Sequence, residues 1–155
     1  MSIKIDYSTT ANCRPEHLWR VIEDLSRWPR FDPEAITSAR WTHGEPWQPG
    51  SKFELRLQKP TGITLIPEVV HCEPPIILQI KAGGAGVKGE AVFVFKILPH
   101  GQTEMRTVQE FSGAPLFLLG DKIKRGVEMG VTELFGRLKA EAEAESQNLP
   151  GVSQT

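Results

Sequence analysis

Acid–base chemistry, metal binding and nucleophilic attack would have to come from four histidines, two cysteines and a scatter of carboxylates. His17 falls in a polar stretch of a helical pattern and His100 in a Pro-His-Gly turn, which predicts that both are solvated. His43 ends a strand pattern beside Gly44, at a rim. His71 is the one histidine whose strand can turn it toward an interior, where it could carry a proton. Its neighbour Glu68 stands an odd number of residues away, so the two share a strand face only if Pro67 introduces a bulge. Cys72 could act as a nucleophile or be a buried structural thiol; Cys13 lies far from it, and neither belongs to a CxxC or Cys/His cluster. The spacing therefore predicts two free thiols in a reducing compartment and no metal site. Arg56 and Arg106 could hold a ligand carboxylate, yet the alternation of their strands puts them outside. Gly83-Gly84-Ala85-Gly86 lacks the Lys-Ser/Thr and the helix of a phosphate loop and reads as a hairpin turn.

The elements that would position these residues follow from periodicity. Residues 3–10 alternate and are rich in β-branched types, which predicts a first strand. Pro15 presets a helix start, Glu16 favours its first turn, and Leu18, Trp19, Val21, Ile22 and Leu25 give it an apolar side. Pro29 and Pro33 break the helical pattern, leaving a second short turn around 25–28. Strands are expected near 36–43, 52–58, 63–72, 76–82, 87–98 and 102–111, joined by turns such as Gln48-Pro49-Gly50-Ser51, Pro60-Thr61-Gly62 and Glu73-Pro74-Pro75. Links this short favour an antiparallel meander. From Ala114-Pro115-Leu116 one helical pattern runs to about Glu145, a rod of roughly 45 Å at about 1.5 Å per residue.

That helix carries Leu116, Gly120, Ile123, Val127, Gly130, Val131, Leu134 and Leu138 on one face. Glycines on a buried stripe each cost about 1 kcal/mol against alanine, so either the helix lies very close to something or room is being left. Strand alternation predicts that Phe53 and Leu55, Phe93 and Phe95, and Met105, Thr107 and Gln109 meet the helix. In 63–72 two registers stay open: Ile63, Leu65, Val69 and His71 inward, or Ile66, Glu68, Val70 and Cys72. An apolar concavity with Thr107 and Gln109 as polar members describes a small-molecule pocket, and it also describes an ordinary core.

At 155 residues and a formal charge of −1, the chain predicts one α+β domain over 1–146 and a flexible tail over 147–155, with nothing that points to nucleic acid. The first residues lack the pattern of a signal peptide, and no run approaches the ~18 apolar residues of a membrane span, so a cytoplasmic location is expected.

Several motifs resemble the START-related, helix-grip (SRPBCC) superfamily, in its polyketide cyclase/dehydrase and lipid-transport branch. They are the proline-led helix 15–24 with Trp19 and Asp24, the Trp28-Pro29-Arg30-Phe31 turn, Pro49-Gly50-Ser51-Lys52-Phe53, the Glu73-Pro74-Pro75 corner and the final helix with its glycines. The resemblance covers about residues 1–145. It implies a curved seven-stranded antiparallel sheet gripping the C-terminal helix, two short helices after the first strand, and an apolar cavity in between. It would place Trp28 and Phe31 at the cavity mouth, as gate, stacking or sealing residues. A hydrophobic ligand, whether lipid, aromatic or polyketide-like, is then the leading expectation, with no cofactor and a monomer or homodimer. A cyclase or dehydratase using Thr107, Gln109 and His71, and a protein-interaction module, are the alternatives.

Overall fold

Alternation along the first strand, with Ile3, Ile5 and Ala11 buried between exposed residues, fixes which side of the sheet faces inward. The computed structural model describes residues 2–58, 62–84 and 86–148. Pro60 and Thr61 of an expected turn, Ala85 of the glycine hairpin and tail residues 149–155 lie outside the described residues.

Strand β1 (Ser2–Ala11) leads into helix α1 (Pro15–Ile22), which begins on Pro15, where a missing N–H costs nothing. Asp24 then accepts from the Ser26 backbone N–H (3.0 Å) and hydroxyl (2.6 Å), opening a 3-10 turn over Leu25–Arg30. Strands β2 (Ile36–His43), β3 (Lys52–Leu57), β4 (Ile63–Leu65), β5 (Glu68–Glu73), β6 (Ile77–Gly84), β7 (Val87–Leu98) and β8 (Gln102–Gly113) precede helix α2 (Leu116–Asn148). All pairings are antiparallel, in the order β1-β8-β7-β6-β5-β3-β2, with the short β4 paired against β3 off that path. The architecture is α+β: a curved sheet, two short helical elements after β1, and one long C-terminal helix lying on the concave side.

The segment 63–72 forms two strands where one is expected. Pro67 has no N–H for a ladder, and its carbonyl accepts from Phe53 N–H at 3.1 Å as the chain passes from β3 to β6. A register shift between Val69 and His71 then adds one residue to β5. Val69 pairs with Ile80 and Cys72 with Leu78, so both face inward although they are three apart. Neither simple alternation survives the bulge, which falls after Val69 rather than at Pro67.

The inward rows have formed two separate apolar clusters. The larger joins α1, the 3-10 turn and the far half of α2 (Phe135, Leu138, Ala142) to Phe53, Val69, Leu78, Phe95 and Met105. The smaller consists of Ile3, Ile5 and Leu116, with Phe111, Ile123 and Val127 packed against it. Three acids on the last turns of α2 tie down neighbouring elements: Glu145 to Arg27 (2.6 Å), Glu141 to Arg30 (3.1 Å) and Glu143 to the Asn12 N–H (2.7 Å).

Between β8 and α2 the chain turns at Gly113, whose φ of +141° disfavours any side chain. A Cβ there would stand 2.1 Å from the Gly86 carbonyl oxygen, which is backbone and cannot rotate away. Gly113→Ala is expected to destabilise the fold by about 1–3 kcal/mol in urea unfolding. An unchanged midpoint would show that the β6–β7 hairpin and the start of α2 are not held together as described.

Candidate functional site

Helix α2 packs mainly against β1 and α1, so it covers one side of the concave face and leaves the other less covered. On the strands beneath, Leu55, Ile80, Ala91 and Phe93 point inward yet are only half-buried. Solvent therefore reaches the less covered side of the inner face, and the half-buried apolar residues there form the candidate cleft. Its helical wall comes from Ile123, Val127 and Gly130, also half-buried, with Gly120 buried nearer the helix start.

Two glycines of α2 are not required by close packing: Gly126 is exposed to solvent and Gly130 is half-buried. A Cβ on Gly126 would meet nothing within 4 Å, and one on Gly130 would meet only Asp32 Oδ2 at 3.8 Å, an ordinary contact. Asp32 belongs to the loop after the 3-10 turn and marks the rim of the cleft opposite Gly130. In the strands, Gly89 does something different: a Cβ there would lie 2.7 Å from the Phe111 ring, so the missing side chain lets that ring lie against β7.

Two of the buried polar side chains meet on β8. Thr107 is fully buried and Gln109 is 9 % exposed, and the Gln109 amide Nε2 donates to Thr107 Oγ1 at 3.3 Å. Ala91 lies opposite Gln109 on β7 and Phe93 opposite Thr107. Across the other edge, Tyr7 pairs with Thr107 on β1, and its ring stands 5.7 Å from that of Phe135. Among the described residues Gln109 Oε1 takes no hydrogen bond. Sequence reading passed over Tyr7, although the period-two set Ile3, Ile5, Tyr7 carries the signal that it faces inward. Ala91 and Ile80, likewise unremarked in the sequence, form the floor beside it.

Five of the expected site residues belong instead to the packed end of the molecule. Trp28, Phe31, Phe53, Phe95 and Met105 are buried in the larger cluster. Trp28 and Phe53 stack edge-on at 5.3 Å, and Trp47 joins Trp19, Trp28, Trp41 and Phe53 with centroid distances from 4.9 to 6.3 Å. The indole N–H groups of Trp28 and Trp47 donate to the Ile22 and Glu23 carbonyls. Trp47 holds a φ of +66°, a conformation rare for a bulky residue. This aromatic block closes one end of the sheet. Of the other expected residues, Leu55 and Phe93 pack against the larger cluster, Ile123 and Val127 join Leu116 against Ile3 and Ile5, Thr107 and Gln109 lie on the inner row of β8, and Gly130 faces the Asp32 loop.

The titratable candidates lie elsewhere. His71 is on the convex face, exposed and 3.5 Å from Glu73, because the bulge in β5 turns Cys72 inward in its place. His17, expected in solvent, is buried with Nδ1 unpartnered, since α1 is wedged between α2 and the sheet. Arg106 and Arg56 are on the outer face as expected, tied to Asp6 and Glu54; the Arg106 hydrogen bond holds the Asp6 carboxyl below the usual carboxylate range. Burial pushes the Cys13 thiol up to about 12 and raises that of Cys72 as well, so both stay protonated at neutral pH. Among the described residues no group of three or more His, Cys, Asp or Glu is placed to hold a metal ion. No helix among them is long and apolar enough to cross a membrane.

Residues 2–143 match the profile of a family described as polyketide cyclase / dehydrase and lipid transport. No curated protein matches the chain by sequence. Among solved structures, the chain is similar to Ara h 8.0201 (TM-score 0.76, 13% identity, 93% of this chain and 99% of that one). It is similar also to a conserved protein from Geobacillus kaustophilus (TM-score 0.75, 20% identity, 93% and 97% covered). A third likeness is to the Zhui aromatase/cyclase from Streptomyces sp. R1128 (TM-score 0.77, 12% identity, 92% and 94% covered). At these identities the likenesses establish the shared fold.

Proposed function

The chain belongs to the polyketide cyclase/dehydrase and lipid transport family, and from that premise we propose that its cleft binds a neutral, largely apolar small molecule bearing a hydroxyl or carbonyl group. The observation that carries this reading is the Gln109–Thr107 pair, set among apolar residues with one amide oxygen unengaged. Gln109 Oε1 is not among the fully buried unpartnered atoms, so water reaches it, and an apolar guest with a hydroxyl takes the place of that water without leaving the amide unpaired. Among the described residues, the inward positions Ala91, Phe93, Thr107 and Gln109 of β7 and β8 carry no cation, which argues against a carboxylate or phosphate group beside the Gln109–Thr107 pair. An apolar cleft with a few convergent polar groups is the usual form of such sites.

Nile red, a neutral dye with one carbonyl, is expected to bind saturably with a rise in fluorescence, and native mass spectrometry of the purified protein should show a one-to-one complex. Gln109→Leu keeps the volume and removes the hydrogen bond, and should weaken binding by about 0.5–1.5 kcal/mol, roughly two- to tenfold. Absence of saturable uptake, or equal affinity in the variant, would remove the basis for the proposed contact.

The cyclase or dehydratase reading loses the histidine that it relied on, since His71 faces outward. In its place Tyr7, paired with Thr107, brings a phenol ring to the inner face.

A further inference from the structure

The outer side of α2 carries a second apolar feature that ligand binding does not use. Leu118 is 91 % exposed, Met129 74 % and Phe117 72 %, the highest values among the described large hydrophobic side chains. Leu118, Lys122, Arg125 and Met129 follow one another at helical spacing, forming a stripe opposite Leu116, Ile123 and Val127, which face the sheet. The first turns of α2 are therefore apolar on both sides, with cations set into the outer one. Exposed apolar side chains grouped in this way mark an interaction surface.

The charges say what kind of surface it meets. Arg27, Arg30, Arg40, Lys52, Arg56, Lys81, Arg106 and Arg137 are each paired with a carboxylate. Lys122, Lys124 and Arg125 form no ion pair among the described residues, and neither do Lys4, Arg14, Arg20, Lys88, Lys96 and Lys139, so what sets the three apart is their place beside the exposed apolar side chains. Asp121 and Glu128 fall on the flank that carries Phe117, Glu128 beside β1, so Lys122 and Arg125 are the charges set between Leu118 and Met129 on the stripe itself. A second copy of the chain meeting this stripe about a two-fold axis would bring these cations against their own images. An anionic lipid surface accepts both features at once: apolar side chains enter the acyl boundary, while Lys and Arg extend along it to the headgroups.

We propose that the outward stripe Leu118–Lys122–Arg125–Met129 docks α2 onto an anionic lipid bilayer. The inner side of the same turns supplies Ile123 and Val127 to the cleft wall, so docking sets the cleft one helix diameter, about 10 Å, from the acyl boundary. The proposal extends the ligand reading by naming the place where an apolar guest is taken up or released.

The full chain should co-sediment with vesicles made of equal parts phosphatidylcholine and phosphatidylglycerol, and not with phosphatidylcholine alone. Binding should fall as salt is raised, because the headgroup attraction is screened. Leu118→Asp, and separately the double change Lys122→Glu with Arg125→Glu, should each weaken vesicle binding tenfold or more. These side chains are exposed, so circular dichroism and Nile red affinity in solution should stay as in the parent protein. No sedimentation with either vesicle, or equal sedimentation of the parent and both variants, overturns the proposal. Concentration-dependent dimers that Leu118→Asp abolishes, without vesicle binding, assign the stripe to a second copy and overturn it too. Vesicle binding without Nile red uptake would uphold the docking surface while removing the ligand reading.

Discussion

Phe135→Ala is expected to lower the stability of the fold by about 3–5 kcal/mol, read from urea or thermal unfolding. Phe135 is fully buried and is the aromatic side chain through which α2 reaches across the concave face. Its ring lies 5.7 Å from Tyr7 on β1 and 6.2 Å from Phe93 on β7, so it ties the helix to an edge strand and to the middle of the sheet. Removing it deletes the transfer energy of a large side chain and leaves space that Tyr7 and Phe93, fixed on paired strands, cannot close. Since small domains retain only about 5–15 kcal/mol of net stability, the loss is large enough to shift the midpoint visibly. A loss below about 1 kcal/mol would mean that the sheet and helix are held chiefly by the clusters on either side of this ring.

Ala91→Trp is expected to abolish Nile red binding, at least tenfold or about 1.4 kcal/mol, while changing stability little. The reasoning turns on what lies above Ala91. It stands between Ile80 and Gln109 on the inner face and is half-buried. If that face were a solid core, a tryptophan would be forced into filled space at a cost of about 1–3 kcal/mol or more. In an open cleft the indole occupies the room meant for the guest. The two measurements thus separate a binding cleft from an ordinary interior: loss of binding at constant stability supports the cleft, and loss of stability without prior binding refutes it.

How far the site was legible depended on whether its residues kept a simple period. The faces of β3, β7 and β8 follow strict alternation, and Phe53, Phe93, Thr107 and Gln109 all turn inward as the sequence predicts. The long helix was legible for the same reason, since its stripe of Leu116, Ile123, Val127 and Leu138 repeats at helical spacing over many turns. The bulge in β5 was not, because one added residue leaves no mark in composition and reverses every side chain beyond it. His71 left the interior and Cys72 entered it on that account. His17 was misplaced because a helix wedged between two partners buries more than one face, whereas the sequence pattern shows one. The division between cleft and packed end was also hidden, since Phe95 and Phe93 stand two residues apart on one strand face and differ only in what α2 and α1 cover.

The separation of the two apolar clusters along α2 has a dynamic consequence. A rod anchored heavily at one end by Phe135, Leu138, Ala142 and three carboxylate ties, and lightly at the other by Leu116, is not equally stable along its length. Its first turns should open in excursions that cost less than unfolding the whole chain, and their amides should exchange with deuterium ahead of those around 134–142. The long helix is in this sense a lever clamped at one end, with its first turns as the free arm.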